Sequence, residues 1–549
     1  MSDWAARVRA WCALDPDAGD RATLEALLGA GDEAALARHF EPPLRFGTAG
    51  LRGPERAGPA GMNRATVRRA TQGVAAWLAE RGAVDPLVVV GRDARRGSER
   101  FNDEVVTTLL GAGVRVLELP RPLPTPLVPF GVKALGASAG IVVTASHNPP
   151  QDNGYKLYAG DGAQIVPPDD EVVERHMAGA GPARSGVRGA PGHQVADEAL
   201  LERYRDHLLR RFAVGESDLR VTYTPLHGVG GATATDLLAR AGYRRLDVVA
   251  AQYEPDPAFP TLPFPNPEEP GALDLAIESA TNAGSTLVLA NDPDADRLGA
   301  AVRTPGGWRT LRGDEIGALL ASTLLAGVRA EGRGVATSLV SSSLLAAMAE
   351  AARVACATTL TGFKWIARAG GPGGLGFGYE EALGFAVDPV VADKDGLSAA
   401  LCLARLAHEL AERGQTLLDR LDELETTFGV HATSSLSVRF DGVDGSSRIA
   451  AAVAGLVADP PARLGELAVT GVEDLARGWR GLPATEGVRL ALGANGRVVV
   501  RPSGTEPKVK AYLELTPARE GGLAAQRARA AAWAEGVLSE LSGRLELGA

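Results

Sequence analysis

Residues 144–158 read TASHNPPQDNGYKLY, directly after the apolar run Ile141-Val142-Val143. A β-branched run that breaks into Ser, His, Asn and two prolines is a strand becoming a loop, because Pro and Gly end regular pairing and Asn favours turns. Ser146 therefore stands at a strand tip. A serine there is either a nucleophile or a cap for the turn, and this stretch alone leaves both open.

Working outward, similar short β-branched runs recur at 87–93 (LVVVGRD), 219–224 (LRVTYT), 246–251 (LDVVAA), 286–292 (TLVLAND), 336–340 (ATSLV) and 497–503 (RVVVRPS). Between them lie stretches of helical period. From Asp197 to Phe212, for example, Leu201, Tyr204, Leu208 and Phe212 recur at three- and four-residue steps. Strands alternating with helices imply βαβ units, hence an α/β fold with parallel or mixed sheets. Two stretches interrupt the alternation. Ala178 to Gly192 is rich in Gly, Ala and Pro and reads as a mobile surface insertion. Tyr253 to Pro270 carries seven prolines and reads as an extended, stiff loop. A charged helix at Arg413 to Thr427 joins a last domain to the rest.

The 549-residue length implies about three or four domains. A net charge of -10 argues against a general nucleic-acid binder or a basic membrane-surface protein. With three cysteines and no C-x-x-C, a disulfide framework or cysteine zinc site is not expected. The first twenty residues lack an apolar core, and no apolar run is long enough to span a membrane, so a cytoplasmic location is expected.

The strongest local signal is NDPDADRLG, Asn291 to Gly299, where an apolar strand runs into Asp292, Asp294 and Asp296. Three carboxylates this close repel one another, and a hard cation with oxygen ligands, Mg²⁺, relieves the repulsion. An EF-hand loop would need Gly and Glu where Arg297 and Arg303 stand. A haloacid-dehalogenase motif wants Thr or Val where Asp296 stands. The spacing favours a metal site over a solvated acidic turn.

Further loops are weaker singly. RPSGTEPK, Arg501 to Lys508, offers a guanidinium fork, the Ser503 and Thr505 hydroxyls and a permissive Gly504, all suited to a phosphate, although a plain turn fits equally. FGYEEALGF, Phe377 to Phe385, pairs Glu380 and Glu381, which suit vicinal sugar hydroxyls or a helix N-terminus. RFGTAGLRG carries Arg52, and VADKDG places Lys394 in a turn.

A serine loop, a tri-aspartate loop, a paired-glutamate loop and a C-terminal Arg-Ser-Gly-Thr loop, in that order, resemble the α-D-phosphohexomutase superfamily of phosphoglucomutases and phosphomannomutases. The resemblance runs from about Arg45 to the C-terminal strands. It implies a four-domain architecture: three similar α/β domains with mixed sheets plus a smaller C-terminal α+β domain, around a central cleft. The boundaries expected are 1–213, 214–330, 331–430 and 431–549.

It also implies roles. Ser146 would be phosphorylated and, with Asp292, Asp294 and Asp296, hold Mg²⁺. Lys156, Arg52 and His147 would serve the chemistry. Arg297, Glu380, Lys394, Arg501, Ser503, Gly504 and Thr505 would bind the phosphosugar, with a sugar bisphosphate as primer and intermediate. Many members carry Ser at the position of Ala382 and His or Tyr at that of Phe385, so sugar recognition departs from the common pattern. The implied activity is a hexose phosphomutase, monomeric or homodimeric. A phosphopentomutase, a metal-dependent sugar phosphatase and a silent sugar-phosphate binder stand as alternatives.

Overall fold

The computed structural model describes residues 4–47, 50–440, 445–503 and 508–547. It divides into two compact units, Met1–Leu311 with Leu383–His408, and Arg312–Ala382 with Glu409–Ala549.

In the first unit, one sheet runs in the order Leu51–Pro54, Asp152–Ala159, Ala139–Val143, Leu87–Arg92, Arg115–Glu118, His193–Val195. The inner strands are parallel and carry unbroken buried apolar runs, Val88 to Val90 and Ile141 to Val143, as strands covered on both faces require. Asp152–Ala159 turns back antiparallel on Ala139–Val143, with Lys156 opposite Val142. Side chains alternate along a strand. Tyr155 and Leu157 enter the apolar core, so Lys156 between them faces the other way. Arg52 is paired opposite Gly154, and a Cβ on Gly154 would meet the Thr144 carbonyl at 2.5 Å. Only glycine lets the three backbones approach so closely.

The second sheet runs Gly307–Leu311, Gly299–Thr304, Leu287–Ala290, Ser217–Thr224, Tyr243–Val248. It repeats the local plan of the first. Leu287–Ala290 lies parallel to Ser217–Thr224 and connects to the antiparallel strand Gly299–Thr304. The serine loop and the aspartate loop are thus equivalent connections, each leaving a buried parallel strand for an antiparallel neighbour.

In the second unit, Gly334–Ser338 pairs in parallel with Cys356–Thr359 and Leu375–Glu380. The C-terminal sheet, Ala432–Arg439, Lys508–Leu515, Gly496–Pro502, Val488–Ala491, Gly471–Asp474, is antiparallel throughout and packs its own core with the Leu523–Leu547 helix. Among the described residues, no helix is long and apolar enough to cross a membrane.

Most strands and the Glu198–Phe212 helix, capped by Asp197, lie where the sequence pattern puts them. Three segments differ. The 246–251 run ends as a strand at Val248, and Ala250–Tyr253 is a helical turn. The proline-rich loop is folded into successive turns rather than extended, with Phe259 N–H donating to Asp256 O and Leu262 N–H to Phe259 O. The Gly/Pro-rich stretch lacks regular structure but is tied down: Gly186 N–H donates to Thr107 O, and Arg188 pairs with Asp103 and Glu118. Three helices at Trp4–Cys12, Ala18–Ala30 and Glu33–Phe40, which the motifs did not foreshadow, pack a small core of Val8, Trp11, Leu24, Leu36 and Phe40.

Candidate active site

Ser146 follows the buried strand Ala139–Val143 in a left-handed conformation, φ 53, and is 1% exposed. Its N–H donates to Thr144 Oγ1 at 2.9 Å. Ser146 Oγ donates to Asp292 Oδ2 at 2.6 Å and itself lies 3.3 Å from His147 Nδ1. Ser146 is therefore aimed at the aspartate loop; a serine that only capped its own turn would not be.

Asp292, Asp294 and Asp296 are fully buried, with ligand oxygens that lie within 4.8 Å of one another. A solvated acidic turn is excluded. The loop is stapled at its base: Asn291 Nδ2 donates to Arg297 O, and Tyr223 OH donates to Asn291 Oδ1. Lys156 Nζ, also fully buried, donates to Asp294 Oδ2 and Asp296 Oδ2, each at 2.6 Å. Lys394 Nζ lies 3.4 Å from Asp296, and Arg297 Nε 3.9 Å from Asp292, whose Oδ1 also accepts the Arg297 N–H. Arg52 reaches Asn148 Oδ1 of the serine loop at 3.5 Å.

Buried carboxylates cost several kcal/mol each unless paired, and the charges here divide unevenly. Burial, then Asp294 and Asp296, push the Asp292 carboxyl up to about 8. Burial would raise Asp294 and Asp296 as well, but Lys156 outweighs it and holds both below the usual carboxylate range. Burial lowers the Arg52 guanidinium against the pull of Asp294 and Asp296.

The residues fit a hard divalent cation. Asp294 Oδ1 and Asp296 Oδ1 are buried with no hydrogen-bond partner, an arrangement that only a cation or water would satisfy. Asp292, Asp294 and Asp296, with an oxygen on Ser146, would hold it.

In the second unit, Glu380 ends the strand Leu375–Glu380, so the paired glutamates do not start a helix. Glu381 Oε2 accepts from Ser338 Oγ at 3.1 Å and Ser341 Oγ at 2.9 Å, while Glu380 is half-buried. Phe385, which belongs to the first unit, is fully buried. Arg501 lies opposite Lys510, and Ser503 N–H donates to Lys508 O. Gly504 and Thr505 lie outside the described residues.

Two residues with no motif around them take part. Thr125 donates its hydroxyl to Asp294 Oδ2 at 2.7 Å and its N–H to Asp294 O. Arg95 Nη2 donates to Ser146 O in the serine loop. Nothing local marks either: Arg95 stands five residues past the run Val88-Val89-Val90, and Thr125 lies between two prolines.

Four family descriptions match in order: "Phosphoglucomutase/phosphomannomutase, alpha/beta/alpha domain I" over 43–183, domain II over 202–307, domain III over 312–428, and the C-terminal domain over 448–531. The chain is 39% identical to the Haemophilus influenzae protein named "Probable phosphomannomutase", over 83% of this chain and 93% of that one. It is 35% identical to the Schizosaccharomyces pombe protein named "Probable phosphoribomutase", over 92% of each. A phosphoglucomutase/phosphomannomutase family protein of Burkholderia thailandensis, at 20% identity, shares the fold with a TM-score of 0.67 over 92% of this chain and 97% of that one.

Proposed function

The chain belongs to the phosphoglucomutase/phosphomannomutase family of phosphotransferase isomerases, and from that premise we propose that it interconverts hexose 1-phosphate and hexose 6-phosphate, of glucose or mannose, through a phosphorylated Ser146 and a sugar bisphosphate. The observation that carries this reading is the 2.6 Å hydrogen bond from Ser146 Oγ to Asp292, in a cluster closed to solvent.

Charge balance explains why a cation belongs there. Lys156 and Lys394 already pair with Asp294 and Asp296, and Arg297 lies beside Asp292, whose carboxyl is pushed up. A phosphoryl group on Ser146 adds about two negative charges, which one divalent ion offsets. When bound, Mg²⁺ supplies positive charge to the phosphoryl oxygens as they pass between donor and acceptor.

The chain's own side chains do the rest. Lys156 fixes Asp294 and Asp296, and His147 Nδ1 lies where it can exchange the Oγ proton. In the transfer the Oγ–P bond breaks and a sugar hydroxyl oxygen bonds to phosphorus. The proton that the hydroxyl gives up balances the one that Ser146 recovers. The reverse transfer, from the other phosphate of the bisphosphate, restores phosphoserine. Arg52 and Arg297 add positive charge beside the reacting oxygens. Glu380 and Lys394 contact the sugar phosphate, and Arg501, Ser503, Gly504 and Thr505 grip the phosphate that is not reacting. Burial of Ser146 keeps water from competing for the phosphoryl group.

The relative named a phosphoribomutase supports a second reading, a pentose phosphomutase of the same mechanism. Phosphorus NMR of products from glucose, mannose, glucosamine and ribose 1-phosphates, each primed with its bisphosphate and Mg²⁺, separates the two. Fast isomerisation of a hexose 1-phosphate supports the hexose reading, and turnover of ribose 1-phosphate alone overturns it. Net release of inorganic phosphate in place of isomer formation would make the protein a phosphatase.

A further inference from the structure

We infer that Arg95, which touches neither the metal-site carboxylates nor a sugar contact, is a positioning residue that holds Ser146 in its reactive conformation, and that Phe259 of the proline-rich loop holds Arg95. The inference rests on the assignment of Ser146 as phosphoryl carrier.

Arg95 is 3% exposed, and its guanidinium donates to four main-chain carbonyls of the serine loop. The contacts are Nη2 to Ser146 O at 2.7 Å and to Asn148 O at 2.5 Å, and Nη1 to Pro149 O at 2.7 Å and to Asp152 O at 3.0 Å. That loop contains Pro149 and Pro150, which lack N–H groups, so it is short of donors for its own buried carbonyls. A planar fork with five N–H groups can serve carbonyls spread over seven residues, whereas an ammonium donates from a single point.

The consequence reaches the reacting atom. A left-handed φ at a residue with a Cβ costs about 1–2 kcal/mol and persists only where surrounding bonds impose it. At Ser146 those bonds are Thr144 Oγ1 on its N–H and Arg95 on its carbonyl. Between them they fix the peptide on which Oγ is carried toward Asp292.

Arg95 is itself fixed from two sides. Asp93 Oδ1 accepts the Arg95 N–H at 3.0 Å and the Ser98 hydroxyl, and its Oδ2 lies 3.4 Å from Arg95 Nε. The Phe259 ring centroid is 5.1 Å from Arg95 Cζ, and Phe259 is 3% exposed with φ 47. The turns of the proline-rich loop thus deliver an aromatic face to the guanidinium.

The test compares the full-length wild type, Arg95→Lys and Phe259→Leu, with Mg²⁺, glucose 1-phosphate and glucose 1,6-bisphosphate. Three quantities are read: kcat, KM, and the single-turnover rate of Ser146 phosphorylation by intact-protein mass spectrometry. Arg95→Lys is expected to lower both kcat and the phosphorylation rate by about a hundredfold, the scale of a small misplacement of a reacting group, with KM changed by less than about threefold. Phe259→Leu should move the same two rates by roughly fivefold. A folded Arg95→Lys with kcat near wild type, or with its loss confined to KM, overturns the inference. If Arg95→Lys does not fold, Phe259→Leu decides, and an unchanged phosphorylation rate in it overturns the inference. Wild type that never acquires phosphate on Ser146 instead overturns the assignment on which the inference stands.

Discussion

At Ser146 one hydroxyl serves as hydrogen-bond donor to Asp292 and as proposed phosphoryl acceptor. Ser146→Ala keeps the backbone demand of the left-handed position and removes only the oxygen. It should lower mutase turnover by orders of magnitude, because no other hydroxyl replaces the carrier. The fold should survive with a loss of about 1–3 kcal/mol, the cost of leaving the Asp292 oxygen without its donor. Steady-state rates and a urea melt check both, and near-normal turnover in a folded Ser146→Ala protein would end the phosphoserine mechanism. Asp294→Asn probes the metal. Its Oδ2 is taken by Lys156 and Thr125, and its Oδ1 has no partner. Removing that charge should weaken Mg²⁺ binding by about tenfold or more, read by calorimetry in the absence of substrate; unchanged affinity would mean that the three aspartates hold no ion. The aspartates were legible in sequence because three charges at alternate positions after an apolar strand have few other uses. Arg95 and Thr125 were not, since what they bind is fixed by folding, at loops tens of residues or more away along the chain.

At the scale of elements, the two loops of the first unit are held by backbone contacts that a single methyl can disturb. A Cβ on Gly228 would lie 2.3 Å from Pro293 Cα, between Asp292 and Asp294. That atom is main chain and cannot swing aside, so Gly228→Ala must shift the aspartate loop or its own turn. It should lower Mg²⁺ affinity and kcat together by roughly tenfold or more, although a glycine has no side chain to offer an ion or a sugar. Parallel titrations of Mg²⁺ against binding and against rate would show it, and wild-type values for both would mean that the loop has slack. The strands carrying these loops were readable because covered parallel strands need unbroken apolar runs such as Ile141 to Val143 and Leu287 to Ala290. The proline-rich loop departs from the expected extended form for an equally physical reason. Proline fixes φ near −65°, which suits an extended chain and the second position of a turn alike. Seven prolines therefore exclude a helix without choosing between the remaining forms. The N-terminal helices carry no chemistry that a motif could flag.

At the scale of the molecule, each unit has its own electrostatic lock. In the second, Glu514 accepts from Ser342 Oγ and from Ser343 N–H, and it pairs with Arg497 and His431. Burial alone would raise its carboxyl, yet His431 and Arg497 outweigh burial and hold it at about 2. A folded value below the ordinary 4.5 means that the stabilisation is fully present above pH 4.5 and is lost as pH falls toward 2. The shift corresponds to about 3 kcal/mol. Glu514→Gln should therefore melt well below wild type at pH 7, and the gap should close as pH approaches 2; a gap independent of pH would show that the charge contributes nothing.

The whole reaction sets a further demand, and it falls on Arg501. A phosphatase must grip only the phosphate it cleaves. A mutase must also hold a second phosphate at the far end of the sugar, in both orientations of the bisphosphate. Arg501 lies in the Gly496–Pro502 strand beside Ser503, and among the described residues it makes no hydrogen bond or ion pair that would occupy its fork. A charge-assisted phosphate contact contributes roughly 1.5–3 kcal/mol, so Arg501→Ala should lower kcat/KM by about tenfold to a hundredfold. Because distal binding also orients the reacting end, turnover should fall along with affinity. The bisphosphate should escape more readily, so the variant should need more of it to sustain the same rate. Steady-state kinetics at several bisphosphate concentrations read all three effects. If Arg501→Ala matches wild type in efficiency and in bisphosphate requirement, the distal phosphate is held elsewhere, and the Arg-Ser-Gly-Thr stretch is only the turn that its sequence also allowed.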